Sequence, residues 1–175
     1  MSMYEVYEPV RQFEREIAGY CSAKYGVAVS SCSNAIFLWC KYLKVKDVYI
    51  PKKTYFSVPC SIIHAGGKVH FKDKEWQGYY QLKPYPIYDS AIRFKKDMYV
   101  KNSYYCLSFQ YSKQIPIGRG GMILADDYDA LKWFKRARCR GSVMTTQTTK
   151  ITPDESGYLE ISRSKLGRSP SPNGY

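Results

Sequence analysis

Two short apolar runs, Tyr104 to Phe109 and Met122 to Ala125, enclose a polar turn that holds one lysine, Lys113, and a glycine cluster, Gly118, Gly120 and Gly121. Each run is short and bounded by turn residues, so each reads as a buried strand. A single ammonium is thereby presented at the end of a strand, where open α/β sheets place their ligands. A lysine in such a place can form a Schiff base with a carbonyl cofactor when its surroundings favour the neutral amine. Read alone, the same pattern also describes a surface lysine on a hairpin.

The rest of the chain alternates strand and helix. Val10, Phe13, Ile17, Ala18 and Cys21 fall at helical spacing within residues 9–25, with Pro9 in the first turn and Gly26 as C-cap. Val27 to Val29 is a short strand, and Ala35 to Leu43 is a helix apolar nearly all round, hence buried. Strands follow at 48–51, 68–73 and 86–91, with a short helix at 60–65 and a loop at 74–83. A last helix, 126–141, has acids at its start and bases at its end, with Gly141 closing it. This alternation predicts an α/β fold, three layers with helices on both faces of a mainly parallel sheet.

Three further stretches carry candidate chemistry. Ser30 to Asn34 lies between a strand and a helix, where backbone N–H groups and hydroxyls make a ready anion site. Read alone, Ser31 and Ser33 are better taken as ordinary N-caps. Tyr55 and Phe56 follow a strand and its Pro51 stop, and read as core aromatics in a chain with 18 tyrosines. Asp89 ends a strand, as a cap or as a placed carboxylate.

In this order, the stretches resemble the DegT/DnrJ/EryC1/StrS family of pyridoxal-phosphate (PLP) aminotransferases, which act mainly on keto-sugar nucleotides. The family pattern Ser-Phe-x-x-x-Lys followed by Gly-[Glu/Asp]-Gly-Gly stands here as Ser108, Phe109 and Lys113, then Gly118-Arg119-Gly120-Gly121. The family's Ser-Ser-Gly-Thr turn stands as Ser30-Ser31-Cys32-Ser33, after Lys24-Tyr25-Gly26-Val27-Ala28-Val29. The resemblance implies that Ser31, Cys32, Ser33 and Ser108 bind the cofactor phosphate or the nearby edge. It implies that Tyr55 stacks on the pyridine ring, that Asp89 pairs with the ring nitrogen, and that Lys113 is the catalytic lysine. Gln110 would line the site. Three positions depart from the family: Cys32 takes a glycine's place, Ile92 stands where Gln or His is usual, and Arg119 replaces an acid.

The resemblance covers most of residues 10–141. It implies the large domain of PLP-dependent transferases of fold type I, lacking the C-terminal small domain. Residues 1–141 then form the PLP-binding domain, and residues 142–175 an irregular basic tail or a truncated linker. The implied reaction moves an amino group, by family habit from glutamate, to a keto-sugar nucleotide in amino-sugar or polysaccharide biosynthesis. The implied assembly is a homodimer. A natural short form and a fragment both remain open, and the alternative function is a PLP-fold module that binds without transaminating.

Composition narrows the remaining classes. No apolar run reaches membrane-spanning length, and the first residues are no signal peptide, so a soluble cytoplasmic protein is expected. The six cysteines show no Cys-x-x-Cys spacing, which points to buried free thiols, and no metal site is expected. The net charge of +12 divides evenly, with +6 from residues 1–131 and +6 from residues 132–175. It suits phosphorylated small molecules or a solvated face. Nucleic-acid binding, supported only by charge and tyrosines, is the remaining alternative.

Overall fold

The computed structural model describes residues 7–138. Seven strands and four helices appear: α1 (Glu8–Cys21), β1 (Tyr25–Val29), α2 (Cys32–Tyr42), β2 (Asp47–Pro51), α3 (Ser57–His64), β3 (Lys68–Lys72), β4 (Tyr80–Gln81), β5 (Ile87–Asp89), β6 (Tyr104–Ser108), β7 (Gly121–Ala125) and α4 (Tyr128–Arg138). The chain divides into two compact units after Lys132, and only residues 133–138 of the second are described. The tail expected at 142–175, Cys139 and the closing Gly141 lie outside the described residues.

Five strands form one sheet in the order β1-β7-β6-β5-β4, and β2 pairs with β3. The sheet is mixed rather than mainly parallel. The pairs β2–β3 and β5–β6 are parallel, whereas β1–β7, β6–β7 and β4–β5 are antiparallel. Among the longer strands the cause is β7. It returns from β6 as a hairpin and inserts beside β1, so β1, β5 and β6 share one direction and β7 opposes them. Strand β7 is buried at every position. A strand covered on both faces reads as continuous apolar sequence whichever way it runs.

Side-chain alternation separates the two covering layers. Tyr105 and Leu107 of β6 and Met122 and Leu124 of β7 pack with Ile17, Ala18 and Cys21 of α1. The intervening positions face α2: the Trp39 ring stacks on Tyr104 at 3.8 Å, and Cys32 Sγ lies 3.4 Å from the Cys106 carbonyl oxygen. The three layers are therefore α1, the sheet, and α2. Tyrosines account for much of the interior on the α1 side, with Tyr88 and Tyr105 stacked at 5.0 Å. Many tyrosines thus pack the protein itself and are not held out as a base-stacking surface.

Helix ends differ from expectation in instructive ways. Helix α1 stops at Cys21 because Ser22 turns left-handed at φ 63°, not because of Gly26. Gly26 sits inside β1, where an added Cβ would come 2.6 Å from the Glu14 backbone oxygen. Val10 is exposed, and Glu14 takes a buried place on α1, with Oε1 accepting the Ala28 N–H at 2.8 Å. That contact serves a backbone donor on a sheet-edge strand. Asp127 caps α4, its Oδ1 accepting the N–H groups of Asp129 and Ala130 at 2.8 and 3.2 Å. Strand β4 lies within the stretch expected to be loop, since two residues are too few to carry a period.

Candidate active site

The strand directions decide where the chemistry collects. Strands β1, β5 and β6 run together, so their C-terminal ends emerge on one edge of the sheet. Beyond those ends lie, in turn, the Ser30–Ser33 turn, Asp89 to Ile92, and the connection that carries Lys113. They enclose a cleft of about 890 Å³ lined by Ser31, Cys32, Ser33, Tyr55, Asp89, Ser108 and Lys113, with Gln110, Ile92 and Arg119 on the same walls. The seven cofactor-site residues implied by the resemblance thus reach one cavity, of a size that suits a small-molecule site.

The turn before α2 is held by its own backbone and by glycine. Ser31 caps the helix, its Oγ accepting the Asn34 N–H at 3.1 Å, as the capping reading anticipated, and it also lines the cleft. Ser33 Oγ lies 2.6 Å from Ser57 Oγ. Gly121, at the start of β7, presses against this turn: an added Cβ would stand 2.4 Å from the Ser31 carbonyl carbon and 2.6 Å from the Cys32 nitrogen. The neighbouring Gly120 adopts φ 132°, and Gly118 φ 94°, conformations that strain other residues. The glycine cluster therefore lets the lysine connection return flush against the N-terminus of α2. Cys32 opens that helix and is absent from the positive-φ residues, so its backbone does not demand glycine.

Asp89 forms the floor. It is 7% exposed, and its carboxylate is met by donors from three directions. Oδ2 accepts the Tyr80 hydroxyl at 2.9 Å, and Oδ1 accepts the Ala91 N–H at 3.0 Å. The Cys32 thiol lies 3.7 Å from Oδ1. Burial pushes the Asp89 pKa above the usual carboxylate value, while Ala91, Tyr80, Cys32 and the Lys113 ammonium pull it back. The Cys32 thiol is pushed well above its ordinary value by burial and by the Asp89 charge, so it stays protonated and unreactive.

Lys113 lies five residues beyond the end of β6, within the connection of residues 109–120. Its N–H donates to the Gln110 carbonyl at 2.9 Å, and its side chain is half-buried. Tyr55 is 66% exposed and Phe56 69%, so neither is a core aromatic. Tyr55 stands on the cleft wall with its ring 4.7 Å from that of Phe56. Ile92, half-exposed on the wall, offers the cleft no hydrogen bond.

Three residues of consequence escaped the sequence. Ser57 and Trp76 line the cleft, and Tyr80 stands behind Asp89. The indole N–H of Trp76 donates to the Lys53 carbonyl at 2.6 Å, and its ring lies 4.8 Å from that of Tyr80. The stretch 74–83, which holds Trp76 and Tyr80, carries no period. The one local signal was the aromatic density of Trp76, Tyr79 and Tyr80.

The donor set can be matched to a group that the fold implies. A buried carboxylate suits a protonated pyridine nitrogen, and a primary amine in the same cleft suits an aldehyde. A helix N-terminus flanked by hydroxyls suits a phosphate. The residues present therefore fit PLP at the phosphate, ring-nitrogen and aldehyde positions. Among the described residues no cluster of His, Cys, Asp or Glu could hold a metal ion, and no helix is long and apolar enough to cross a membrane.

Comparison with known proteins gives the same fold and a family. The chain is similar to 3-amino-5-hydroxybenzoic acid synthase, with a TM-score of 0.67 at 16% identity over 83% of this chain and 50% of that one. It is also similar to DesI, solved in the presence of its TDP-sugar product, with a TM-score of 0.63 at 15% identity over 79% of this chain and 46% of that one. These likenesses show the fold, the large domain of fold-type I PLP-dependent transferases. A curated relative, the spore coat polysaccharide biosynthesis protein SpsC of Bacillus subtilis (strain 168), is 39% identical over 67 residues, 37% of this chain and 17% of SpsC. The chain spans about half the length of the solved structures that it matches. The model of one family matches residues 2–92, which include Ser31, Cys32, Ser33, Tyr55 and Asp89 and end before Lys113. Because that match spans more than half of its residues, the chain belongs to the DegT/DnrJ/EryC1/StrS aminotransferase family.

Proposed function

We propose that this cleft binds PLP and serves an aminotransferase that moves an amino group, from glutamate, to a keto-sugar nucleotide in amino-sugar or polysaccharide biosynthesis. The observation that carries the reading is the convergence of Asp89, Lys113 and the Ser31–Ser33 helix start on one cavity. The sugar substrate is supported by family membership, by the TDP-sugar product named for DesI and by the polysaccharide role named for SpsC. Free thiols at Cys21, Cys32, Cys40, Cys60 and Cys106 fit a reducing, cytoplasmic setting. The exposed pair Tyr55 and Phe56, beside the cleft, fits a homodimer.

In this reading the first N–H groups of α2, with Ser31, Ser33 and Ser108, hold the phosphate. Tyr55 covers a ring face, and Asp89 keeps the ring nitrogen protonated. When bound, the cofactor supplies an electron sink for charge that develops at the substrate carbon. The Lys113 amine would hold the cofactor through its aldehyde and, when free, would carry a proton at the substrate carbon. Residues 1–141 are the cofactor-binding domain, and residues 142–175 a tail or linker.

Ile92 favours a second reading, a module that binds the cofactor without turnover, because it supplies no hydrogen bond where the family usually has one. Absorption spectra of the full chain with PLP, before and after glutamate, separate the two. A visible band that glutamate bleaches and a keto-sugar nucleotide restores is the expected result. A band indifferent to glutamate supports the module, and no band in a folded sample overturns both.

A further inference from the structure

We propose that Tyr80 is a positioning residue for Asp89: its hydroxyl, held between Thr54 and Asp89, fixes the carboxylate that faces the cleft and ties it to the segment that carries Tyr55. The inference rests on the reading of the cleft as a PLP site only for its catalytic consequence.

The geometry is redundant in a way that a core tyrosine does not need. Tyr80 and Asp89 are register partners across the β4–β5 pair, and Tyr80 is also hydrogen-bonded to the Asp89 side chain at 2.9 Å. The hydroxyl of Tyr80, a residue 4% exposed, bonds Thr54 Oγ1 on its other side. With the Tyr80 proton directed to Asp89, the Thr54 hydroxyl donates to the Tyr80 oxygen, and the chain Thr54–Tyr80–Asp89 is satisfied throughout. Burial and the Asp89 charge push the Tyr80 pKa up, so the phenol remains a donor at any working pH. Trp76 packs against the Tyr80 ring and lines the cleft itself. Thr54 directly precedes Tyr55, so one hydrogen-bonded line joins the stacking wall to the floor.

The groups that face Asp89 are Tyr80 from β4, the Cys32 thiol from α2, the Cys106 thiol from β6 and the Lys113 ammonium from the β6–β7 connection. Both thiols are pushed up by burial and stay neutral, so they add no competing charge. Tyr80 is the nearest uncharged donor from another element, and its loss removes a bond that favours the ionised carboxylate.

The test is a ¹³C-carboxyl NMR titration of the cofactor-free full chain, with Asp89→Asn assigning the resonance. In Tyr80→Phe the Asp89 midpoint moves upward, and PLP binds about ten-fold more weakly, as expected for one lost hydrogen bond to a charge. Thr54→Val gives the same shift at smaller amplitude, and Thr54→Ser restores the parent midpoint. An unchanged Asp89 midpoint in folded Tyr80→Phe overturns the proposal, and an unchanged midpoint in Thr54→Val does so if the first variant fails to fold. Because this titration needs no cofactor, a parent that never binds PLP defeats the functional reading and leaves the Tyr80 result decisive by itself.

Discussion

Asp89 and Lys113 line the same cleft on opposite terms. Asp89 belongs to a central strand, is 7% exposed and has both carboxylate oxygens occupied by donors. Lys113 belongs to a connection whose neighbours Tyr111, Ser112 and Gln114 are exposed, and its side chain makes no hydrogen bond or ion pair with the described residues. The difference follows the jobs proposed for them. A group that tunes a ring must not reorient, so the sheet freezes it. A group that attaches, leaves and carries a proton needs freedom, so it stands on a loop. The glycines reconcile the two. They bring the loose connection back onto the rigid helix start at the distance of backbone contact.

The contrast makes distinct predictions for folding. The largest effect is expected on the rigid side. Gly121→Ala drives a Cβ into the Ser31 backbone, which cannot yield as a flexible side chain would. A loss of about 3 kcal/mol is expected in urea unfolding, in the upper range for overpacking. A change near zero would show that the turn and β7 are not in register as described.

Asp89→Asn has a smaller effect whose sign depends on pH. Burial raises the Asp89 pKa in the folded state, so the folded chain binds this proton more tightly than the unfolded chain does. Parent stability from this group therefore falls as pH rises from the ordinary carboxylate range through the raised value. The variant lacks that loss. Its stability relative to the parent should improve steadily across the window in the cofactor-free state, while its cofactor binding deteriorates. A relative stability flat with pH would mean that Asp89 is solvated.

Lys113→Ala has the smallest effect on the fold. A half-buried side chain with no hydrogen bond or ion pair to the described residues should change unfolding by no more than about 0.5 kcal/mol. A loss of several kcal/mol would place Lys113 among the structural residues and erase the contrast with Asp89.

Much of this organisation was legible in the sequence, for identifiable reasons. Helix α2 declared itself by its apolar length, β6 and β7 by short bounded runs, and the cleft residues by their order along the chain. Strand direction was not legible, because β7, covered on both faces, has no polar side to mark it. Gly26 reads as a cap in the sequence because the close approach of the Glu14 backbone oxygen, from a helix in another layer, leaves no local trace. Tyr80 was hidden for a similar reason. Its role comes from a two-residue strand registered against Asp89 and from Thr54, 26 residues away, and neither relation has a sequence period.

The most direct test of the account is covalent labelling. The full chain is incubated with PLP, reduced with borohydride and digested, and the phosphopyridoxyl mass is located by tandem mass spectrometry. The account predicts one dominant label, on Lys113, that disappears in Lys113→Ala and fades in Asp89→Asn. Labelling spread over surface lysines such as Lys52 and Lys53, with Lys113 no more reactive than the rest, would contradict it.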